Sequence, residues 1–305
     1  MRVTSRALAL AAGVLSLLSA SGASAREQVA LHGGAHTNIY ITRESGGKLI
    51  RLSNNREGQE DHLAYDPSWS PDGRRLVFTE VTCHMCDSEI HVMQSRPARG
   101  KGWAGRTIAI GFHPRWSPDG GRIAYVGRSG GIYVMSADGS HRRLLVKRGL
   151  ADDGPSWSPD GKQIVFTMQQ TASLWRLYLV DADGQHLRPI TTGPESAVNP
   201  SWSPDGRSIA FARQQGLWQL YILRLATRQL RRVSDGRWSD SWPVWSPDGR
   251  RLAFVRQEQA GNAIYRVGVS GRDVRRVSPR AYIAVQPAWS PRGDRVAFAG
   301  DTRRP

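Results

Sequence analysis

Two cysteines, Cys83 and Cys86, enclose His84 and Met85 and form the densest group of soft ligands in the chain. A local disulfide would use the pair to staple a long loop in an oxidising compartment. A redox or copper site would use the sulfurs together with His84. Haem attachment is excluded because no histidine follows the second cysteine, and zinc would need ligands from a second cysteine pair that the sequence lacks. The disulfide between Cys83 and Cys86 is the expectation. A second motif, Gly127-Arg128-Ser129-Gly130-Gly131, has the spacing of a serine-hydrolase elbow. That chemistry needs a strand-to-helix corner with an acid and a histidine further on. Here the segment joins two short apolar runs, 123–126 and 132–135, and glycine content explains the match. The other histidines (His32, His36, His62, His91, His141, His186) lack metal-ligand spacing. A metal-assisted site would have to be assembled by folding, from residues such as His62, Asp66 and His113. The expectation is therefore no catalytic residue, no metal and no cofactor.

What must position these groups is a repeat. WSPDG begins at Trp69, Trp116, Trp157, Trp202 and Trp245, and WSPRG begins at Trp289, at spacings of 47, 41, 45, 43 and 44 residues. Periods of this size belong to arrays of small β-units. In each unit a proline two residues before the tryptophan opens a short strand. Ser-Pro-Asp-Gly then turns the chain: proline presets φ, aspartate bonds the backbone and glycine accepts positive φ. A β-branched or aromatic strand follows, such as Arg75-Leu76-Val77-Phe78. A third strand (Ile132-Tyr133-Val134-Met135), a second turn and an arginine-bearing fourth strand complete four antiparallel strands per period. The sequence is thus predicted to be all-β, a six-bladed β-propeller. Asn38-Ile39-Tyr40-Ile41 and Lys48-Leu49-Ile50-Arg51-Leu52 look like third and fourth strands, and residues 296–298 like a second strand. Joined, they complete the sixth blade and remove free sheet edges.

The WSPDG repeats, the Ile-Tyr third strand and the Arg-Leu or Arg-Val fourth strand resemble the WD-like repeats of TolB-type propellers. The resemblance covers about residues 38–299. The motif is specific for the fold and not for function, because one fold hosts many functions. A binding module and not an enzyme is expected mainly because the sequence contains no nucleophile, paired-carboxylate or phosphate-loop motif. TolB carries an α/β domain ahead of its propeller, and only about a dozen residues separate the leader from the first strand here. TolB-like propellers also occur joined to prolyl-oligopeptidase hydrolase domains, and no such domain is read in this sequence.

Residues 1–25 have the layout of a signal peptide: Arg2 and Arg6, an apolar run over 7–18, then Ala23-Ser24-Ala25. The apolar run is too short to span a bilayer. Residues 26–37 are a short connecting segment, and 38–305 the propeller. Export to the periplasm, cell wall or medium is expected, as a monomer without a transmembrane segment. The formal charge is +16, a balance that permits contact with anionic wall polymers or lipid surfaces. Arginines on fourth strands account for much of it as protection of blade edges, and no specific nucleic-acid signature is present.

Against the repeated frame, one position varies. The residue before each strand proline is Asp66, His113, Gly154, Asn199, Trp242 or Gln286. In a propeller this position rings the mouth of the central channel, where varied polar groups can bind a loop, a small ligand or a cation. The loops entering first strands hold nine acids (Glu57, Glu60, Asp61, Asp66, Asp152, Asp153, Glu195, Asp235, Asp240) against five bases. The predicted site is this acid-leaning face, with Asp66, His113, Asp152, Asp153, Asn199, Trp242 and Gln286 as its residues. A secreted or envelope protein or peptide is the expected partner. The alternative is a metal-assisted polysaccharide lyase or hydrolase at the same mouth.

Overall fold

The Ser-Pro-Asp-Gly turn shows why the chain folds as it does. In the computed structural model, Gly73 N–H donates to Ser70 O at 2.9 Å with Gly73 at φ 68°. The Ser70 hydroxyl donates to Asp72 Oδ1 at 2.6 Å, and that carboxylate also accepts Arg74 N–H at 2.9 Å. Each turn thereby closes with local bonds before any distant contact is made. The serine hydroxyl, as hydrogen-bond donor, is the leading cause that holds the carboxyls of Asp72, Asp119, Asp160, Asp205 and Asp248 below the usual aspartate value.

The structure describes residues 37–53, 63–81, 88–96, 105–147 and 154–302, and every regular element among them is a strand. Blade 1 comprises β3 to β6 (Leu63–Trp69, Arg75–Val81, Ser88–Gln94, Arg106–Ile110). Blade 2 comprises β7 to β10 (Phe112–Trp116, Arg122–Val126, Ile132–Ser136, Arg143–Val146). Blade 3 comprises β11 to β14 (Ser156–Trp157, Gln163–Thr171, Leu174–Asp181, Arg188–Pro189). Blade 4 comprises β15 to β18 (Ala197–Trp202, Ser208–Gln215, Leu217–Arg224, Leu230–Arg232). Blade 5 comprises β19 to β22 (Ser239–Trp245, Arg251–Glu258, Gly261–Gly268, Arg275–Arg276). Blade 6 joins β23 (Tyr282–Trp289) and β24 (Arg295–Thr302) to β1 (Asn38–Arg43) and β2 (Ile50–Arg51), in the order β2-β1-β24-β23. The predicted closure is present: β1 pairs with β24 from Asn38 opposite Gly300 to Arg43 opposite Arg295.

Packing follows the repeat. Each blade pairs a second-strand ring with one from its third strand: Phe78 with His91, Tyr125 with Tyr133, Phe166 with Tyr178, Phe211 with Tyr221, Phe254 with Tyr265 and Phe298 with Tyr40. The five second-strand phenylalanines are fully buried, each contributing about 1.5–3 kcal/mol. Four of the six motif tryptophans tie neighbouring blades by donating the indole N–H to the preceding blade's backbone: Trp69 to Ala288 O, Trp157 to Arg115 O, Trp245 to Ser201 O and Trp289 to Val244 O. Arg75 and Arg122 lie 4.7 Å over Trp116 and Trp157 of the next blade, a cation–π contact. First strands of adjacent blades pack together around the centre, and the fourth strands present exposed arginines outward. No helix among the described residues is long and apolar enough to cross a membrane.

Candidate binding site at the channel mouth

One backbone irregularity builds the mouth. In β3, β7, β15, β19 and β23 the register with the second strand shifts across the X-Pro pair, a bulge at the same place each time. The residue before proline takes positive φ in all five: Asp66 58°, His113 51°, Asn199 54°, Trp242 52° and Gln286 53°. Left-handed backbone costs a non-glycine residue on the order of 1–3 kcal/mol, so the surroundings must impose it. The paired strands on either side do so. A constant, strained frame therefore carries side chains that differ from blade to blade.

All five side chains are buried, and they meet one another. Asp66 N–H donates to Gln286 Oε1 at 3.0 Å, joining blades 1 and 6. Trp242 N–H donates to Asn199 Oδ1 at 3.4 Å, joining blades 5 and 4. His113 and Trp242 sit on opposite blades, yet their rings lie 5.8 Å apart. The channel is spanned at this level. Gly154, the sixth member, makes room: a Cβ there would fall 2.9 Å from His113 Cβ.

Asp66 is the chemical centre. Its Oδ2 lies 2.6 Å from His113 Nδ1 and its Oδ1 lies 4.0 Å from Arg115 Nη2. The imidazole contact is close in distance but poorly aligned, and among the described residues neither carboxylate oxygen receives an aligned hydrogen bond. Gln286 Nε2 and Trp242 Nε1 are likewise buried without an acceptor among the described residues. Burial without directed partners is costly. Gln286, Asp66, His113 and Trp242 thus form one chain of touching residues that carries an acceptor pair and two donors.

The remaining acids are disposed differently from a uniformly acidic rim. Asp240 is fully buried and gripped at both oxygens by Arg256, Nε and Nη2 each at 2.8 Å. Burial pushes its carboxyl up, and the guanidinium opposes that shift. Glu195 pairs with Arg213 at 2.7 Å, while Asp235 is exposed. Asp152, Asp153, Glu57, Glu60, Asp61, His62, Cys83 and Cys86 lie outside the described residues. The Gly127–Gly131 segment is a hairpin turn, closed by Gly130 N–H to Gly127 O at 2.9 Å between β8 and β9. Sequence reasoning missed Arg115 beside Asp66, and a second buried group in blade 1. There His91 Nε2 lies 3.3 Å from Glu80 Oε2 and 3.0 Å from Glu89 Oε2. The signal was available: His91 stands where the other five blades place tyrosine on the third strand.

Comparison with known proteins fits this architecture. The sequence matches the family described as TolB beta propeller domain over residues 20–193 and 190–304. A curated relative, a TolB homolog of Chlorobium luteolum, is 30% identical over 129 residues, covering 42% of this chain and 28% of that protein. The alignment thus spans little more than a quarter of the relative's length. A solved structure assigned to TolB of Agrobacterium tumefaciens superposes with a TM-score of 0.70 at 22% identity, covering 88% of this chain and 98% of the other. An oligogalacturonate lyase of Vibrio parahaemolyticus superposes at 0.55 with 11% identity, covering 87% and 97%. Likeness at these identities establishes the fold alone.

Proposed function

The chain belongs to the TolB beta propeller domain family, and on that premise we propose that it is an exported, non-catalytic scaffold that captures a protein or peptide partner at the cell envelope. The observation that carries this reading is the ring of five bulged positions, one backbone geometry bearing five different side chains. A rigid frame with interchangeable side chains suits recognition, because the ordering cost is met in folding and not in binding. The partner's chemistry follows from Asp66, Gln286 and Trp242. A lysine or arginine side chain, or an amino terminus, that displaces the side chains covering Asp66 satisfies the carboxylate, and carbonyl oxygens of the same segment satisfy the two donors. Asp152 and Asp153, on the loop entering blade 3, extend the acidic approach in this reading.

The test uses the full chain, tagged, expressed in its native host and crosslinked before mass spectrometry of its complexes. Because Asp66 is buried, Asp66→Asn is the suitable change there, combined with Asp152→Lys and Asp153→Lys. One protein enriched about tenfold over the variant, and binding the purified chain in a salt-dependent way, is the expected result. Equal capture by wild type and variant overturns the reading.

The lyase alternative rests on the close Asp66–His113 contact and on the oligogalacturonate lyase fold. Among the described residues no group of three His, Cys, Asp or Glu side chains is placed to hold a metal ion. A stoichiometric metal in the natively purified protein would move the assignment toward it.

A further inference from the structure

The grooves between neighbouring blades on the turn face repeat in shape but not in charge. Between blades 2 and 3 the groove is lined by three bases (Arg122, Arg143, Lys162) and three aspartates. Between blades 4 and 5 it is lined by Arg224 and Arg231 against Asp205 and Asp248. Both are balanced. Between blades 6 and 1 lies a groove of about 500 Å³ whose charged lining is Arg74, Arg96, Arg292 and Arg295 against Asp72 and Asp294. This one carries net positive charge.

In the turn of this groove the acid and base of the repeat are exchanged, Arg292-Gly293-Asp294 in place of Asp-Gly-Arg, which puts Arg292 where the other turns hold aspartate. The exchange is neutral in charge, and the excess comes from Arg74, Arg96 and Arg295 against Asp72. The turn survives the change. Ser290 Oγ donates to Asp294 Oδ1 at 2.9 Å, and Gly293 N–H still donates to Ser290 O at 2.8 Å. An acid two positions later has taken over the local bond, so the arginine is not needed for the fold. Arg74, Arg96 and Arg292 are exposed, and among the described residues no acid lies within ion-pair distance of their guanidinium groups. In the groove between blades 2 and 3 the arginines are spent: Arg143 donates to Asp183 O and Ala182 O, and Arg122 to Gly161 O. Both aspartates of the 6–1 groove are likewise committed to their own turns.

We propose that the groove between blades 6 and 1 binds a phosphoryl group, with Arg74, Arg96 and Arg292 as its ligands. Planar guanidinium forks match phosphate oxygens two at a time, and three converging on one groove select multiply charged anions over isolated carboxylates. The site lies on the face opposite the channel mouth, so its occupation does not depend on the scaffold reading.

The experiment compares the full chain with Arg292→Asp, which places the usual aspartate at that turn position, and with Arg224→Asp, which makes the same charge change in a balanced groove. Binding is measured by calorimetry with inorganic pyrophosphate and by flotation with phosphatidylglycerol vesicles, phosphatidylcholine vesicles serving as blank. The expected result is a loss of about tenfold or more for Arg292→Asp and less than about twofold for Arg224→Asp. Pyrophosphate binding assigns a soluble phosphoryl ligand. Binding confined to phosphatidylglycerol vesicles assigns a lipid headgroup. Equal losses in the two variants would mean diffuse attraction to a basic protein and overturn the site, as would no binding to either probe. Citrate binding as tight as pyrophosphate would overturn the selectivity for phosphoryl groups.

Discussion

Asp66 and Asp240 are both completely removed from solvent, and both lie on first strands near the loop face. Asp240 has two aligned guanidinium bonds at 2.8 Å, with Arg256 further supported by the rings of Phe254 and Tyr265 at 5.3 and 5.0 Å. Asp66 has an imidazole and a guanidinium nearby but, among the described residues, no aligned donor on either oxygen. Burial is equal in the two; completeness of the hydrogen bonding is not. A sealed pair has nothing left to offer a ligand, whereas an unsealed acid keeps its bonding capacity for one.

The largest effect follows from breaking the sealed pair. Asp240→Ala leaves Arg256 buried without its carboxylate and should cost about 3–5 kcal/mol in urea unfolding. Replacing both partners, Asp240→Leu with Arg256→Met, should recover most of that loss. A loss below about 1 kcal/mol for Asp240→Ala would erase the distinction between the two acids. Next in size is Gly154→Ala, whose methyl group meets His113 at 2.9 Å. It should cost about 1–3 kcal/mol and weaken partner capture together with stability.

A smaller, pH-dependent effect belongs to the turns, which are neither sealed nor buried. Their aspartates have folded pKa values held below the ordinary 3.8 by serine hydroxyl bonds. Depressed carboxyl values contribute stability that is present above the unfolded pKa and lost as pH falls through the folded one. The urea midpoint should therefore hold between pH 7 and 5 with respect to these groups and drop below pH 4. Asp119→Asn should flatten part of that drop, with solvent screening keeping each turn's share modest. The smallest change in stability is expected from Asp66→Asn, within about 1 kcal/mol because no aligned bond is lost. That same variant should reduce capture about tenfold. A large destabilisation by Asp66→Asn would place the residue with Asp240 as a structural acid.

The six blades and their closure were legible in the sequence because they rest on local chemistry. Ser-Pro-Asp-Gly turns and alternating strands need no distant partner to be recognised. That Asp66, His113, Asn199, Trp242 and Gln286 hold one equivalent position was legible too, since they vary inside a constant frame. Their left-handed backbone was not, because it is imposed by pairing with the second strands across a bulge. Nor was the meeting of His113 with Trp242, which requires the ring to close before two opposite blades can touch. Asp240 looked like a rim acid until folding placed it against Arg256, 16 residues further on. Spacing alone does not say which acids will find an arginine.

The ladder that closes blade 6 has a mechanical consequence. Asn38 sits opposite Gly300 and Arg43 opposite Arg295, so the chain segments leading away from β1 and β24 depart from the same end of the ladder. Tension applied through those two segments loads one rung at a time, as in a zipper, and does not shear all rungs together. A force acting on the ends of the propeller would thus open the ring at blade 6 first, peeling β1 from β24 while the other blades stay intact.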